Sequence, residues 1–181
     1  GIWVVDDITP LRALDAELLG KEAAFVAGKT VVQRLNAFGG YGSGDATYEG
    51  PNPPSDAQIV YYQKKRHIFG DLKIEVLDSD GKLLGTIPSG KRRGLNRVQW
   101  SMRVAPPRVP TAASADFSAS TGPRVLPGTY TVRMTKDKNV YTTTLQVISD
   151  PRSKHSIEDR KAQFDLAMKL YGELGKMSFA V

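Results

Sequence analysis

Apolar and polar residues alternate with a period of two through the middle of this chain, the signature of strands with one buried face. Ile59, Val60, Tyr61 and Tyr62 open the region, and Leu72, Ile74 and Val76 then alternate with Lys73 and Glu75. Asp78-Ser79-Asp80-Gly81 reads as a hairpin turn, with glycine where positive φ is needed, leading into a strand at 83–87. Asn96, Val98, Trp100 and Met102 share one face of a further strand, and Trp100 is the best single core candidate. After Pro127-Gly128-Thr129, the alternation of Tyr130, Val132 and Met134 turns at Lys136-Asp137-Lys138-Asn139 into Tyr141, Thr143, Leu145 and Val147. Five or six short strands with no helix between them predict a mainly β protein, an Ig-like or fibronectin type III-like antiparallel β-sandwich over residues 55–150.

The flanks follow other rules. Residues 1–54 read as an N-terminal extension. It holds a strand at 2–5 stopped by Asp6, Asp7 and Pro10, then a helix capped by Thr9 that carries Leu11, Leu14, Leu18 and Leu19 on one face through Lys21. Short strands at 24–27 and 31–35 come next, and the Gly- and Pro-rich stretch 36–54 reads as surface loop. Residues 105–123 have little to bury beyond Phe117 and read as a long excursion. In the final part, 151–181, Ser156 and Asp159 form a capping-box variant for a helix reaching Gly175. Its stripe of Ile157, Phe164, Met168, Tyr171 and Leu174 must be covered by something, and the break at Asp150-Pro151-Arg152 favours an external partner over folding back.

Composition narrows the chemistry. The 181 residues suit one domain with appendages, and no apolar run approaches the roughly 18 to 20 residues of a membrane helix. Cysteine is absent and there are two histidines, His67 and His155, which disfavours thiolate chemistry and histidine-rich metal sites. No cofactor is called for. A net charge of +6 favours anionic neighbours without naming one. The opening Gly1-Ile2-Trp3-Val4-Val5 has the look of a fragment whose start lies upstream.

Each candidate constellation has a plainer reading. Asp6 and Asp7 point to opposite faces if the strand continues, so they suit a turn cap better than acid/base work. Asp78 and Asp80 resemble the start of a calcium loop, but Lys82, Leu83 and Leu84 stand where ligands belong. The glycines of 39–44 lack the lysine and hydroxyl pair of a phosphate cradle. Two basic clusters, Lys64-Lys65-Arg66-His67 and Lys91-Arg92-Arg93, lie at strand ends and can converge on one rim, although solvated loops are the plainer account. Only Phe69 is near them for base stacking, which disfavours nucleic acid. Tyr41, Tyr48, Tyr61 and Tyr62 are candidates for a sugar-stacking platform, with one of Tyr61 and Tyr62 assigned to the core.

The segments Gly1-Ile2-Trp3-Val4-Val5-Asp6-Asp7-Ile8-Thr9-Pro10-Leu11-Arg12, Gly50-Pro51-Asn52-Pro53-Pro54, Gly94-Leu95-Asn96-Arg97-Val98-Gln99-Trp100, Pro127-Gly128-Thr129-Tyr130-Thr131-Val132 and Asp150-Pro151-Arg152 carry a resemblance. Together they resemble the C-terminal region of bacterial sortilin-like, BNR-repeat β-propeller proteins, often labelled glycosyl hydrolases. The resemblance implies that residues 2–5 are the closing strand of a propeller blade, followed by an Ig-like sandwich and a helical tail. It also implies an exported protein, periplasmic, outer-surface or secreted, whose hydrolase site would sit on the propeller and transfers no catalytic residue here. The leading expectation is a non-catalytic structural or protein-binding module that packs against its parent propeller or another envelope protein. Its candidate interface is Phe164, Met168 and Tyr171 on the helix and Lys64, Lys65, Arg66, Lys91, Arg92 and Arg93 on the rim. The rivals are an accessory, glycan-binding domain of a glycoside hydrolase, and a subunit fragment of a membrane-associated complex whose basic rim meets anionic glycans or lipid head groups.

Overall fold

The computed structural model of the protein describes residues 7–28, 30–34, 54–109 and 121–178. The strand expected at 2–5, Asp6, the glycines of 39–44, Tyr41, Tyr48, Phe117 and the end at 179–181 lie outside the described residues. The protein is mainly β, with two sheets and a C-terminal helix. In chain order the elements are α1 (Thr9–Arg12), α2 (Ala16–Gly20), β1 (Ala23–Phe25), β2 (Val31–Gln33), β3 (Ala57–Gln63), β4 (Leu72–Leu77), β5 (Leu83–Ile87), β6 (Gly94–Trp100), β7 (Gly128–Lys136), β8 (Asn139–Ser149) and α3 (Ile157–Met177).

One sheet has three strands in the order β1-β3-β6, and the other has five in the order β2-β8-β7-β4-β5. Both contribute to one core. From the first come Ala57, Ile59, Tyr61, Val98 and Trp100, and from the second Ile74, Val76, Val132, Met134, Leu145 and Val147. The period-two pattern selects these residues because successive side chains leave a strand on opposite faces. Trp100 is 4% exposed, donates its indole N–H to the Arg103 carbonyl at 3.1 Å, and meets the Tyr130 ring edge-on at 5.3 Å. The turns carry the expected chemistry. Gly81 has φ +77 and the Asp78 carboxylate accepts from the Asp80 and Lys82 amides, while the β7–β8 turn passes through Asp137 at φ 53.

Three expectations need correction. The single N-terminal helix is two short ones, because Asp15 adopts extended backbone and its carboxylate caps Leu18 N at 2.7 Å, restarting the helix. Thr9 lies inside α1 rather than capping it, and Leu11 and Leu19 are exposed, so no single apolar face forms. The strand expected at 24–27 is Ala23–Phe25, and the one at 31–35 is described as Val31–Gln33. This second strand pairs in parallel with β8, so the sheets are not wholly antiparallel.

The C-terminal helix α3 follows the bend after β8. The capping box is present, with Asp159 N donating to Ser156 Oγ and Ser156 N to the Asp159 carboxylate. The first turns of the helix also touch the β body. Arg160 donates to the side chain of Gln33 on β2 at 2.8 Å, and Phe164 lines clefts with Arg124 on one side and with Val125 and Tyr130 on the other. Asp150 holds the bend after β8, its buried carboxylate accepting from the backbone and guanidinium of Arg152. Phe164, Met168, Tyr171 and Leu174 are half-buried, but Ile157 is exposed and does not belong to the covered stripe.

Two outcomes follow from this core. Trp100→Ala removes the ring that joins the sheets and should lower stability by about 3–5 kcal/mol, read as a fall in the denaturation midpoint. Burial pushes the Tyr61 and Tyr130 hydroxyls up to about 12 from their ordinary value of 10.0. The unfolded chain therefore loses these protons first as pH rises, so the stability they contribute is complete below pH 10 and is lost between 10 and about 12. Denaturation curves across that window should show a steep decline that Tyr61→Phe and Tyr130→Phe each flatten.

Candidate binding surfaces

The two basic clusters meet because β3 and β6 are antiparallel neighbours and the last pair of their ladder is Gln63 with Gly94. Lys64, Lys65 and Arg66 leave the end of β3 where Lys91, Arg92 and Arg93 approach the start of β6. His67 N donates to the Lys91 carbonyl at 3.0 Å and ties the two loops together. Inward-facing side chains hold the 90–92 backbone from beneath. Tyr61 donates its hydroxyl to the Gly90 carbonyl at 2.6 Å, the Gln63 amide reaches the Gly90 and Arg92 carbonyls, and Asn96 reaches Arg92 at 2.8 Å. With the backbone carbonyls turned inward, the cationic side chains face solvent, and all six are exposed. Among the described residues no carboxylate lies within ion-pair distance of any of the six. Lys64 Nζ instead donates to the Gly20 carbonyl at 3.2 Å.

The next residues change character. His67 turns inward and is buried, its Nδ1 3.9 Å from the Asp137 carboxylate and its Nε2 without a partner among the described residues. Ile68 and Phe69 then stand out in solvent at 64% and 85% exposure. Gly70 follows at φ +86 with the Asp137 side chain against it, and Asp137 N donates to the Asp71 carbonyl, so the loop is anchored behind its apolar tip. The sequence marked Phe69 as an aromatic near a basic run. It hid Ile68 and Phe69 as a pair, since two apolar residues beside a strand resemble the core until their direction is known.

A second cationic cluster was missed entirely. Arg103 and Arg124 oppose each other in an isolated antiparallel bridge, flanked by bonds from Val125 N to the Met102 carbonyl and from Val104 N to the Pro123 carbonyl. Arg160 of α3 joins them around a cleft of about 420 Å³ that Phe164 also lines. Among the described residues their hydrogen-bond partners are all neutral. Arg103 donates to the Gly122 carbonyl at 2.8 Å, Arg124 to the Arg34 carbonyl at 2.9 Å, and Arg160 to Gln33 and Gln163. Burial first, and then the charges of Arg103 and Arg160, lower the Arg124 pKa below the usual guanidinium value. With 21 and 36 residues separating Arg124 from Arg103 and Arg160, no local pattern announced the cluster.

Other candidates have structural roles. Tyr61 and Tyr62 are both buried, Tyr62 because its hydroxyl reaches the Leu19 carbonyl of α2 at 3.4 Å and the extension covers it. They cannot form an exposed stacking platform. Asp7 accepts from Thr9 N at 2.9 Å in the turn before α1, and Asp78 caps its hairpin. Glu75 is buried on the outer face of β4. Burial alone would raise its pKa, but hydrogen bonds and charge from Lys73 and Arg133 outweigh it and the net shift is downward, so it stays ionised as part of a structural triad. Among the described residues no group of three or more His, Asp or Glu is placed to hold a metal ion, and no helix is long and apolar enough to cross a membrane. The chain matches no protein-family model, no curated protein and no solved structure.

The anchoring of the 64–70 loop yields a test. Gly70→Ala forces a side chain into positive φ and places its Cβ 2.0 Å from the Asp137 carboxylate, which must swing aside. It should cost about 1–3 kcal/mol in chemical denaturation, while Gly172→Ala, in open space on α3, should be neutral or stabilising.

Proposed function

We propose that this chain is a non-catalytic binding module, an Ig-like sandwich of an exported, propeller-type protein, that seats the basic end of its three-stranded sheet on an anionic membrane surface. The observation that carries this reading is the placing of Ile68 and Phe69, both exposed, at the tip of a loop flanked by Lys64, Lys65, Arg66, Lys91, Arg92 and Arg93. Cations near a membrane surface are attracted to anionic head groups by about 1 kcal/mol each, and an aliphatic and an aromatic side chain gain further by entering the acyl boundary. A glycan or nucleic acid rewards the charge but leaves the isoleucine in water. The Ig-like reading is supported by Tyr130, at the start of β7, whose hydroxyl donates back to the Leu126 carbonyl as in a tyrosine corner, and by Trp100 packed against its ring. The resemblance to sortilin-like proteins supports placement in the periplasm, on the outer surface or outside the cell.

A second reading has its own observation. Leu166, Leu170 and Met177 are exposed on one side of α3, turned away from Phe164 and Tyr171, and such a stripe suits a protein partner such as the parent propeller. The two readings separate by which substitution matters. The chain should sediment with vesicles of phosphatidylcholine mixed with phosphatidylglycerol and not with phosphatidylcholine alone, and added salt should weaken the association. Changing Lys91, Arg92 and Arg93 together to Gln should reduce partitioning on the order of a hundredfold, from about 1 kcal/mol per charge. Phe69→Ser should reduce it by about tenfold or more with little change in thermal stability, since the ring is already in water. Equal binding to neutral vesicles, or no binding to either kind, would overturn the membrane reading. Loss of partner capture on changing Leu166 and Leu170, with the basic variants unaffected, would establish the helix as the docking element.

A further inference from the structure

We propose that the cleft lined by Arg103, Arg124, Arg160 and Phe164 is a binding site for a phosphoryl or sulfuryl oxyanion carried on a compact apolar body. The case is independent of the membrane reading and lies elsewhere on the molecule.

Like charges directly opposite in an antiparallel bridge repel, and Arg103 and Arg124 are held opposite by the backbone bonds on either side of them. Arg160 adds a third positive charge from the first turn of α3, held toward the body by Gln33. Surface arginines ordinarily splay into water to avoid such convergence. Here each guanidinium is fixed by a neutral acceptor: the Gly122 carbonyl, the Arg34 carbonyl, or the side chains of Gln33 and Gln163. Those bonds orient the groups without neutralising them. A guanidinium has five N–H donors, so each retains donors beyond those it uses on the protein. Three forks with spare donors, and no carboxylate among the lining residues, present the geometry that a tetrahedral oxyanion accepts.

The shape of the cleft adds the second half of the ligand. A volume of about 420 Å³ exceeds what a bare phosphate or sulfate fills, and Phe164, Pro123 and Ala167 supply an apolar wall beside the cationic one. An occupant would touch the bridge through Arg103 and Arg124 and the helix through Arg160 and Phe164 together. It would therefore fasten α3 to the body at the place where the helix begins.

The test compares inorganic phosphate, sulfate and phenyl phosphate with chloride at matched ionic strength, reading the thermal midpoint of the full chain. Phosphate and sulfate should raise the midpoint saturably, phenyl phosphate should do so at lower concentration, and chloride should not. At roughly a hundredfold excess over Kd the rise should be about 5–10 °C. Arg160→Gln and Arg124→Gln, each referred to its own midpoint in chloride, should abolish the rise. Phe164→Ala should erase the advantage of phenyl phosphate over inorganic phosphate while leaving the phosphate effect in place. Equal shifts from phosphate and chloride, or a full shift retained by both arginine variants, would mean ionic screening only and would overturn the site. If phosphate and phenyl phosphate act alike in the parent chain, the anion site stands and the apolar body is excluded.

Discussion

The contact of Trp100 with Tyr130 is the constraint on which the rest depends. The indole comes from the three-stranded sheet and the phenol ring from the five-stranded one, so their edge-on packing is where two separately hydrogen-bonded layers become one core. Both rings have polar atoms that burial would penalise if left bare. The indole N–H finds the Arg103 carbonyl and the Tyr130 hydroxyl finds the Leu126 carbonyl. Those two bonds also fix the chain at Arg103 and at Leu126, next to the bridge in which Arg103 faces Arg124. The packing of the core and the placing of the arginine cleft thus share a cause.

A second set of buried polar groups positions the basic end. Tyr61, Gln63 and Asn96 face inward from β3 and β6 and bond to the Gly90, Arg92 and Gly94 carbonyls, giving the incoming loop partners that a sheet edge would otherwise supply. The loop is therefore ordered from within. The side chains of Lys91, Arg92 and Arg93 are left exposed, as is the adjoining apolar tip of Ile68 and Phe69.

The long strands were legible in the sequence because alternation is local. Leu72, Ile74 and Val76, and Tyr130, Val132 and Met134, state their burial within six residues, and the Asp78 and Asp137 turns state where the chain reverses. The capping box at Ser156 was equally local. What escaped was set at a distance. β1 and β2 have three residues each, too few for a period to declare itself, and they exist because β3 and β8 offer open edges. Tyr62 is buried by α2, forty-three residues earlier, whereas its strand alone implied that one of Tyr61 and Tyr62 faces outward. The α1–α2 break turned on one Asp15 hydrogen bond inside a run of helix-compatible leucines. The basic rim was partly legible, since strand ends can be located, while the exposure of Ile68 and Phe69 and the gathering of three arginines required the fold.

The parallel pairing of β2 with the end of β8 has a mechanical meaning. Val31, Val32 and Gln33 run in the same direction as Val147, Ile148 and Ser149, so tension applied toward the N-terminal side of β2 and the C-terminal side of β8 pulls the two strands past each other along their length. The bonds between them are then loaded together rather than opened one at a time, as they would be at the end of a hairpin. Gln33 reinforces the junction, donating to the Val125 carbonyl at 2.9 Å and accepting from Arg160. In a chain pulled between its leading segment and its terminal helix, load reaches the β1–β3 ladder first and then shears this short one.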